Sequence, residues 1–217
     1  MSKCCRLTIK RYIDNNEKKP MTKTLMFDLS EVFIAGLYGV EKPLAALLGL
    51  PEEPVLQAFG GEQLGQLCRD ALSEDAYLEY VIRRQGWQVE VDAVKRLIRQ
   101  NFHHKVPGMQ AVLERLAGQV PLVLLSDHAR EWVEYIQAVH PFLALFDRIF
   151  YSYEIKSTKR SPESFRHVLA AIDCAPQDCI FVDDSPINVA VAAELGINAI
   201  QFTSAAELNE KLLEYGV

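Results

Sequence analysis

The sequence predicts an α/β fold in which a doubly wound parallel sheet carries an inserted bundle of helices. Two observations lead to this prediction. From Pro107 onward, short all-apolar runs alternate with amphipathic helical patterns, as expected for strands that are buried on both faces of a parallel sheet. Between an isolated first strand and this alternating region, apolar residues recur three and four positions apart, which is the helical period. The helical region therefore interrupts the α/β core directly after its first strand.

The first strand is predicted from Thr24 to Phe27, and it ends in a single carboxylate, Asp28. Open α/β sheets bind ligands at the carboxyl ends of their strands, so Asp28 is a candidate nucleophile or metal ligand. The residues from Leu29 to Phe33 leave the strand pattern. An acid at this position is also typical of a strand that simply leaves the core, and Asp28 alone does not decide between the two.

The helical region extends from about Val40 to Val106 and has room for four or five short helices. Ser73 precedes two acidic residues and marks the start of one helix. One apolar stripe at helical spacing consists of Leu64, Leu67, Cys68 and Ala71. These stripes indicate core packing and no cofactor site.

The alternating region is predicted to contain four strands and five helices. Its first half has a helix from Met109 to Leu116, a strand from Val120 to Leu125, a helix that buries Trp132, Val133 and Ile136, and a strand from Arg148 to Tyr151. Its second half has a helix opened by Ser161 and Pro162, a strand from Cys179 to Val182, a helix capped by Ser185 with Ile187, Val191 and Leu195 inside, a strand from Ala199 to Phe202 and a helix from Ala205 to Leu213.

Three of the predicted strands end in polar side chains. They are Asp28, then Ser126 with Asp127, and then Asp183 with Asp184. Because the carboxyl ends of parallel strands share one edge of a sheet, these groups are expected to converge on one crevice. Neighbouring carboxylates repel each other unless a cation or a shifted pKa relieves them, and Mg²⁺ prefers such oxygen ligands. The alternative for Asp183 and Asp184 is an acidic cap on the next helix.

In this order and spacing, the motifs resemble those of the haloacid dehalogenase superfamily of phosphohydrolases, over about Thr24 to the C-terminus. Phe27 to Val32 is similar to the first motif of that family, Leu125 and Ser126 to the second, Lys159 to the third, and Val182 to Ser185 to the fourth. The helical region is similar to the small helical cap that many members insert after the first motif. The resemblance implies a Rossmann-like core with an inserted α-helical bundle cap.

The resemblance also implies roles for individual residues. Asp28 would attack phosphorus and become an aspartyl phosphate, with Lys159 assisting catalysis. The implied phosphate-binding residues are Ser126, Asp127 and Lys159. The implied Mg²⁺ ligands are Asp28, the backbone carbonyl of Ser30, Asp184, and Asp183 either directly or through water. Catalysis of this kind depends on positioning and on charge neutralisation.

Three features depart from the family pattern. Ser30 stands where most phosphatases of the family have a second Asp, and serine cannot exchange a proton at neutral pH as a carboxylate can. Asp127 stands where Asn is common, so its carboxylate either turns away from the phosphate, is protonated, or reports a different substrate. In the third-motif loop, Lys156 replaces a usual Gly and Arg160 a usual Pro. We expect both cations to be solvated, and the alternative is added positive charge near the phosphate.

The leading functional hypothesis is an Mg²⁺-dependent phosphohydrolase that acts on a small phosphomonoester through Asp28. The alternative is a catalytically weak or inactive relative that binds a ligand or regulates a partner through the same crevice, as Ser30 and Asp127 suggest. Carbon-halogen hydrolysis is a third hypothesis. It is disfavoured because Asp183 and Asp184 resemble a pair of metal ligands, and a dehalogenase nucleophile needs no Mg²⁺.

The predicted organisation is a flexible leader over residues 1–20, a hydrolase core over 21–37 and 108–217, and a helical cap over 38–107. The formal net charge of −6 disfavours nucleic acid or an anionic membrane as a partner, which leaves a small phosphorylated metabolite. Five cysteines without CxxC spacing disfavour a disulfide framework and a zinc site, so we expect a reducing cytoplasm. The oligomeric state is left open by the sequence.

Overall fold

A five-stranded parallel sheet forms the centre of the protein in a computed structural model that describes residues 23–217. The predicted leader, residues 1–20, lies outside the described residues. The strands are β1 (Thr24–Phe27), β2 (Leu122–Ser126), β3 (Arg148–Tyr151), β4 (Cys179–Asp183) and β5 (Asn198–Gln201). Their order in the sheet is β3-β2-β1-β4-β5, and all neighbours are parallel. The ends of β2, β1 and β4 therefore lie side by side, and the predicted fold class is confirmed.

Helices cover both faces of this sheet and fill the long connection after β1. Five helices lie in that connection, which we call the helical insertion: α1 (Glu41–Leu48), α2 (Glu52–Ala58), α3 (Glu62–Cys68), α4 (Glu74–Gln85) and α5 (Val91–Asn101). The later helices are α6 (Met109–Leu116), α7 (Arg130–Val139), α8 (Ser152–Ile155), α9 (Pro162–Ala171), α10 (Pro186–Glu194) and α11 (Ala205–Glu214). Across residues 23–217, every helix is too short or too polar to cross a bilayer.

The sheet is buried on both faces, as the all-apolar strands require. Leu25 and Phe27 point into a larger core that continues into the helical insertion, where it includes Tyr77 and Ile98. Met26 points to the opposite face and a smaller core. Because β1 is the middle strand, its end is surrounded by packed structure, and Asp28 is held on a rigid support.

Several predicted helix boundaries are confirmed by the cap contacts. The Ser73 hydroxyl accepts a hydrogen bond from the Ala76 N–H at the start of α4, and Ser161 accepts one from the Glu163 N–H at the start of α9. The predicted stripe through Ala71 was too long, because α3 ends at Cys68 and the chain turns at Asp70 with φ of 61°. The turn redirects Asp70 toward the α/β core.

The predicted inner face of α10 is confirmed for Val191 and Leu195, which pack partly buried against the smaller core, and is wrong for Ile187, which is 50% exposed. The residues that α10 buries most fully are Asn188 and Ala192. The Asn188 amide donates to the buried carboxylate of Asp183, at 3.1 Å from Oδ1. A polar contact with the end of β4 therefore occupies the buried position at the start of this helix, where the sequence suggested Ile187.

The chain enters and leaves the helical insertion at one place. The Ala35 N–H donates to the His104 carbonyl at 2.8 Å, and the Val106 N–H donates to the Phe33 carbonyl at 2.9 Å. The outgoing and returning segments thus form a small hydrogen-bonded joint directly beside the loop that follows β1. We call this pairing of residues 33–35 with residues 104–106 the joint.

Candidate active site

The ends of three adjacent strands bring Asp28, Ser126 and Asp183 together. Asp28 directly follows β1, and its backbone N–H donates to the Val182 carbonyl at 2.9 Å, which continues the pairing with β4. Ser126 and Asp183 are the last residues of β2 and β4, and both are fully buried. The predicted convergence on one edge of the sheet is therefore seen in the structure.

Lys159 joins two of these carboxylates from the loop that precedes α9. Its Nζ lies 2.5 Å from Asp28 Oδ1 and 2.6 Å from Asp183 Oδ2, and its side chain is buried. Burial opposes the charged form of the lysine, but the surrounding carboxylates outweigh burial and raise the pKa of Lys159 above its ordinary value. Lys159 is therefore a permanent ammonium group in contact with the candidate nucleophile.

Three carboxylates, those of Asp28, Asp183 and Asp184, have oxygens within 4.8 Å of one another. Burial raises the pKa of Asp28 well above its ordinary value, although Lys159 opposes the rise. Burial, followed by the Asp183 charge, also raises the pKa of Asp184. Set against the ammonium of Lys159, the three acids leave an excess of two negative charges when ionised. A divalent cation with oxygen ligands suits this donor set.

Asp183 and Asp184 differ in their surroundings. The Asp183 carboxylate accepts hydrogen bonds from the Ser185 N–H at 2.8 Å and from the Asn188 amide, in addition to the Lys159 contact. Asp184 is only half-buried. Asp183 is thus held by protein donors, whereas Asp184 has a carboxylate open to the crevice.

Ser30 lies in a tight loop just beyond Asp28. Glu31 has a left-handed backbone with φ of 59°, and its side chain accepts the Gly36 N–H at 2.7 Å. A Cβ at position 36 would lie 2.6 Å from Ser30 Oγ, so only glycine allows the loop to close over this serine. The Ser30 side chain is consequently packed on one side by backbone.

His128 connects the two serines of the site, and the sequence reasoning missed it. Its Nδ1 lies 2.7 Å from Ser126 Oγ and its Nε2 lies 3.1 Å from Ser30 Oγ. Burial, with a further contribution from Lys159, lowers the pKa of His128 to about 3, so the ring is neutral at pH 7. The signal available in the sequence was a titratable residue two positions after a strand-end serine.

Asp127 faces the backbone of the Lys159 loop. Its two carboxylate oxygens lie 3.2 and 3.1 Å from the Lys159 nitrogen and accept its N–H. Burial raises the pKa of Asp127 to about 6, although Lys159 opposes the rise. The predicted contact of Asp127 with phosphate stays a prediction, and the structure adds a contact that supports the loop carrying Lys159.

The helical insertion reaches the α/β core at Asp70. Its carboxylate lies 2.8 Å from Arg130 Nη2 and 2.6 Å from Lys156 Nζ, and these two hydrogen bonds lower the pKa of Asp70 to about 2. The Arg130 guanidinium also lies over the Tyr153 ring, 4.7 Å from its centroid. We call Asp70, Arg130 and Lys156 the Asp70 clamp. Lys156 is exposed to solvent, as expected, and it also forms an ion pair with Asp70 of the helical insertion.

The fold and this site define a hydrolase of the haloacid dehalogenase type. The chain belongs to the haloacid dehalogenase-like hydrolase family, whose sequence model matches residues 22–196.

Individual relatives agree with this assignment. The chain is 23% identical over 209 residues to flavin mononucleotide hydrolase 1 of Arabidopsis thaliana, covering 94% of this chain and 82% of the relative. It is 30% identical over 160 residues to D-ribitol-5-phosphate phosphatase of Bacteroides thetaiotaomicron, covering 70% and 68%. A haloacid dehalogenase family enzyme of the same bacterium, solved with magnesium and inorganic phosphate, superposes with a TM-score of 0.65 at 21% identity, covering 84% of this chain and 95% of that one. This likeness establishes the shared fold.

Proposed function

We propose that this hydrolase is an Mg²⁺-dependent phosphatase that cleaves a small phosphomonoester through an aspartyl phosphate on Asp28. The observation that carries the proposal is the Asp28 carboxylate, which contacts the Lys159 ammonium, lies 3.4 Å from the Ser126 hydroxyl and forms an acidic cluster with Asp183 and Asp184. Two relatives support it by name, since one is a flavin mononucleotide hydrolase and the other a sugar-alcohol phosphate phosphatase. The solved relative with magnesium and phosphate supports the cofactor.

Mg²⁺ fits the donor set at the strand ends. The proposed ligands are Asp28, the backbone carbonyl of Ser30, Asp184, and Asp183 either directly or through water. The proposal is supported by the three clustered carboxylates, which exceed the single buried ammonium of Lys159 in charge when ionised. Burial, with a smaller contribution from Asp183, raises the pKa of both Asp28 and Asp184, so a cation there would favour their ionised forms. When bound, Mg²⁺ supplies positive charge that keeps Asp28 ionised and offsets the charge of the phosphate oxygens.

In the first step, an Asp28 carboxylate oxygen attacks phosphorus, and the bond from phosphorus to the ester oxygen breaks. The ammonium of Lys159 already contacts Asp28, so it lies within reach of a phosphate oxygen held next to that carboxylate. The Ser126 hydroxyl lies 3.4 Å from Asp28 Oδ1 and offers a second donor. Such positioning and charge stabilisation make up most of the catalysis in phosphoryl transfer.

In the second step, water attacks the phosphorus of the aspartyl phosphate, and Asp28 leaves as a free carboxylate. The departing alkoxide of the first step must gain a proton and the attacking water must lose one. The carboxylic acid that usually exchanges these protons is replaced by Ser30. General acid-base catalysis is typically worth about 10²- to 10⁴-fold, so we expect slow turnover or a substrate with a good leaving group.

We further propose that the helical insertion, predicted over residues 38–107, acts as a cap over the crevice. The Asp70 clamp ties it to the rim of the α/β core, and Cys68, two residues earlier, is buried. Burial and then the charge of Asp127 raise the pKa of the Cys68 thiol, which supports a position of this part of the insertion near the site. A cap held this close leaves room for a small metabolite.

The test is phosphate release from a panel of phosphorylated metabolites in Mg²⁺, comparing the wild type with Asp28→Asn. Asn preserves the size of the side chain but is a poor nucleophile, so turnover should fall to the level without enzyme. Chelation with EDTA should abolish release by the wild type. Equal release by the two proteins would contradict the proposal.

A second candidate is a catalytically weak or inactive ligand-binding protein, which the serine at position 30 favours. In that case the protein would bind a phosphate mimic in an Mg²⁺-dependent manner and turn over no member of the panel. Clear turnover that depends on Asp28 would exclude this candidate.

The cytoplasmic location stays a prediction, and the Arabidopsis relative carries the name chloroplastic. The cysteines within the described residues, Cys68, Cys174 and Cys179, are free thiols, which agrees with a reducing compartment.

A further inference from the structure

His128 ties together two serines that belong to different strand ends. Its two ring nitrogens contact Ser126, at the end of β2, and Ser30, in the loop after β1, at 2.7 and 3.1 Å. The side chain is buried, with 2% of its surface exposed. The imidazole therefore spans the crevice floor beside Asp28.

The surrounding side chains prevent this ring from turning away. The His128 backbone N–H donates to the buried Ser152 hydroxyl at 3.1 Å. The rings of Phe102 and Trp132 meet the imidazole edge to face, each with a centroid separation of 6.2 Å. With its backbone bonded and two aromatic rings packed against it, the imidazole keeps both nitrogens directed at the serines.

A neutral imidazole has one N–H, so one ring nitrogen donates and the other accepts. Ser126 has a single hydroxyl hydrogen, and Asp28 Oδ1 lies 3.4 Å away as an acceptor for it. If Ser126 donates to Asp28, Nδ1 must carry the ring hydrogen and donate to Ser126 Oγ. Nε2 then accepts the Ser30 hydroxyl hydrogen. With this tautomer the hydrogen bonds run from Ser30 through His128 to Ser126 and Asp28, whereas the other tautomer would reverse them and withdraw the Ser126 hydrogen from Asp28.

We propose that His128 is a positioning residue for phosphoryl transfer, which orients the Ser126 hydroxyl toward Asp28 and the phosphate and fixes the Ser30 hydroxyl beside them. This inference rests on the proposed phosphatase function. A hydroxyl whose direction is fixed before the reaction needs no reorientation when charge develops on the phosphate oxygens. We therefore expect the affinity for phosphate to depend on Nδ1, which contacts Ser126. The rate of turnover should depend on Nε2, which contacts Ser30.

Two conservative variants separate the nitrogens. The amide of Asn lies the same number of bonds from Cα as Nδ1, so His128→Asn can keep the Ser126 contact and lose the Ser30 contact. The amide of Gln corresponds in the same way to Nε2, so His128→Gln can keep Ser30 and lose Ser126. The probes are p-nitrophenyl phosphate as substrate and inorganic phosphate as competitive inhibitor, both in saturating Mg²⁺.

We expect His128→Gln to weaken inhibition by inorganic phosphate about tenfold, because the Ser126 donor is no longer directed at the anion. His128→Asn should leave this inhibition constant close to the wild-type value and lower kcat. In double mutants, Ser126→Ala should add little to His128→Gln, and Ser30→Ala should add little to His128→Asn, because each pair shares one hydrogen bond. His140→Gln is the matched control, since His140 is buried and contacts only the Phe102 carbonyl among the polar groups within reach in the described structure.

Two patterns would overturn the inference. One is the same change in kcat and phosphate inhibition for Asn and Gln at position 128. The other is a double mutant in which the fold-changes of the serine and histidine substitutions multiply, as they do for independent sites. If thermal unfolding shows that one His128 variant is not folded, the inference is still tested by the other variant and by the double mutant with its serine partner. Wild-type turnover that Asp28→Asn abolishes, combined with unaffected His128 variants, would refute only the positioning role. A wild type that neither binds phosphate nor turns over substrate would refute the proposed function as well.

Discussion

The ammonium group of Lys159 lies 2.6 Å from the Asp183 carboxylate, with both side chains buried at the end of β4. Removing the lysine leaves the carboxylates of Asp183 and Asp28 buried without their cation. Breaking a buried ion pair from one side typically costs about 3–5 kcal/mol of unfolding free energy. We expect Lys159→Met to destabilise the metal-free protein by an amount in that range, as measured by urea denaturation.

Lys156→Met is the matched control for this prediction. Lys156 also pairs with an aspartate, Asp70, but it is exposed, and exposed ion pairs are worth about 0–1 kcal/mol. Similar losses of stability in the two variants would show that the Lys159 pair does not support the fold as its burial suggests.

Asp127→Asn should change how stability depends on pH. The pKa of Asp127 rises from 3.8 to about 6 on folding, chiefly through burial, so the folded state binds this proton more tightly than the unfolded state. Wild-type stability is therefore reduced as pH rises from about 4 to about 6, and the reduction persists above that. In metal-free buffer, the stability of Asp127→Asn relative to wild type should increase over this window and then level off. A difference that is flat with pH would contradict the raised pKa.

Asp184→Asn should have opposite effects on stability and on metal binding. Burial and the Asp183 charge raise the pKa of Asp184, so its ionised form costs stability above the ordinary value of 3.8. Without metal, the Asn variant should be more stable than wild type at pH 7. Its affinity for Mg²⁺, measured by calorimetry, should fall by at least about tenfold. An unchanged Mg²⁺ affinity would remove Asp184 from the ligand set.

Ser30→Asp should raise phosphatase turnover. The substitution places a carboxylic acid two residues after Asp28, and general acid-base catalysis typically raises the rate about 10²- to 10⁴-fold. We expect only part of this gain, because the loop is packed tightly between Ser30 and Gly36. Ser30→Asn controls for side-chain size without providing an acid and should not accelerate the reaction. Steady-state kcat values compare the three proteins. An unchanged or lower rate for Asp would show that proton exchange at position 30 does not limit turnover.

Asp70→Asn should loosen the Asp70 clamp with little loss of stability. Asn tolerates the left-handed backbone at position 70, so the substitution removes charge without adding strain. We expect faster alkylation of the buried Cys68 thiol, followed by mass spectrometry, and a change in unfolding free energy below about 1 kcal/mol. High salt should accelerate labelling of the wild type in the same way.

Glu62→Gln provides the control for clamp opening. Glu62 forms an exposed ion pair with Arg69 at 2.6 Å, and both partners belong to the helical insertion. Loss of this ion pair should leave the rate of Cys68 alkylation unchanged. Equal acceleration by the two substitutions would point to general loosening of α3.

The strand-end residues of the site were predictable because the geometry of a parallel sheet is regular. Asp28, Ser126 and Asp183 each follow an apolar run, and parallel pairing places such ends on one edge. The sequence did not reveal the roles of His128 and Asn188, whose polar contacts join different elements. His128 contacts Ser30, 98 positions away in the chain, and Asn188 on α10 contacts Asp183 at the end of β4. Periodicity describes which face of an element is apolar, and it carries no information about a polar partner on another element.

The error at α10 shows the same limit. Ile187 was assigned to the core because it is apolar and correctly spaced, yet it is exposed while Asn188 is buried. A buried carboxylate at the end of β4 requires a donor, and satisfying it outweighs the burial of one more apolar side chain. The identity of that donor depends on the position of Asp183 in three dimensions.

Ile34 lies at the centre of the joint and bridges two segments at once. On one side its backbone pairs with Ser30 in the nucleophile loop, and on the other it pairs with Lys105, where the chain returns from the helical insertion. Any displacement of the helical insertion that preserves these pairings is transmitted through Ile34 to the backbone of Ser30. The position of the insertion and the shape of the loop after Asp28 are thereby coupled through the Ile34 backbone.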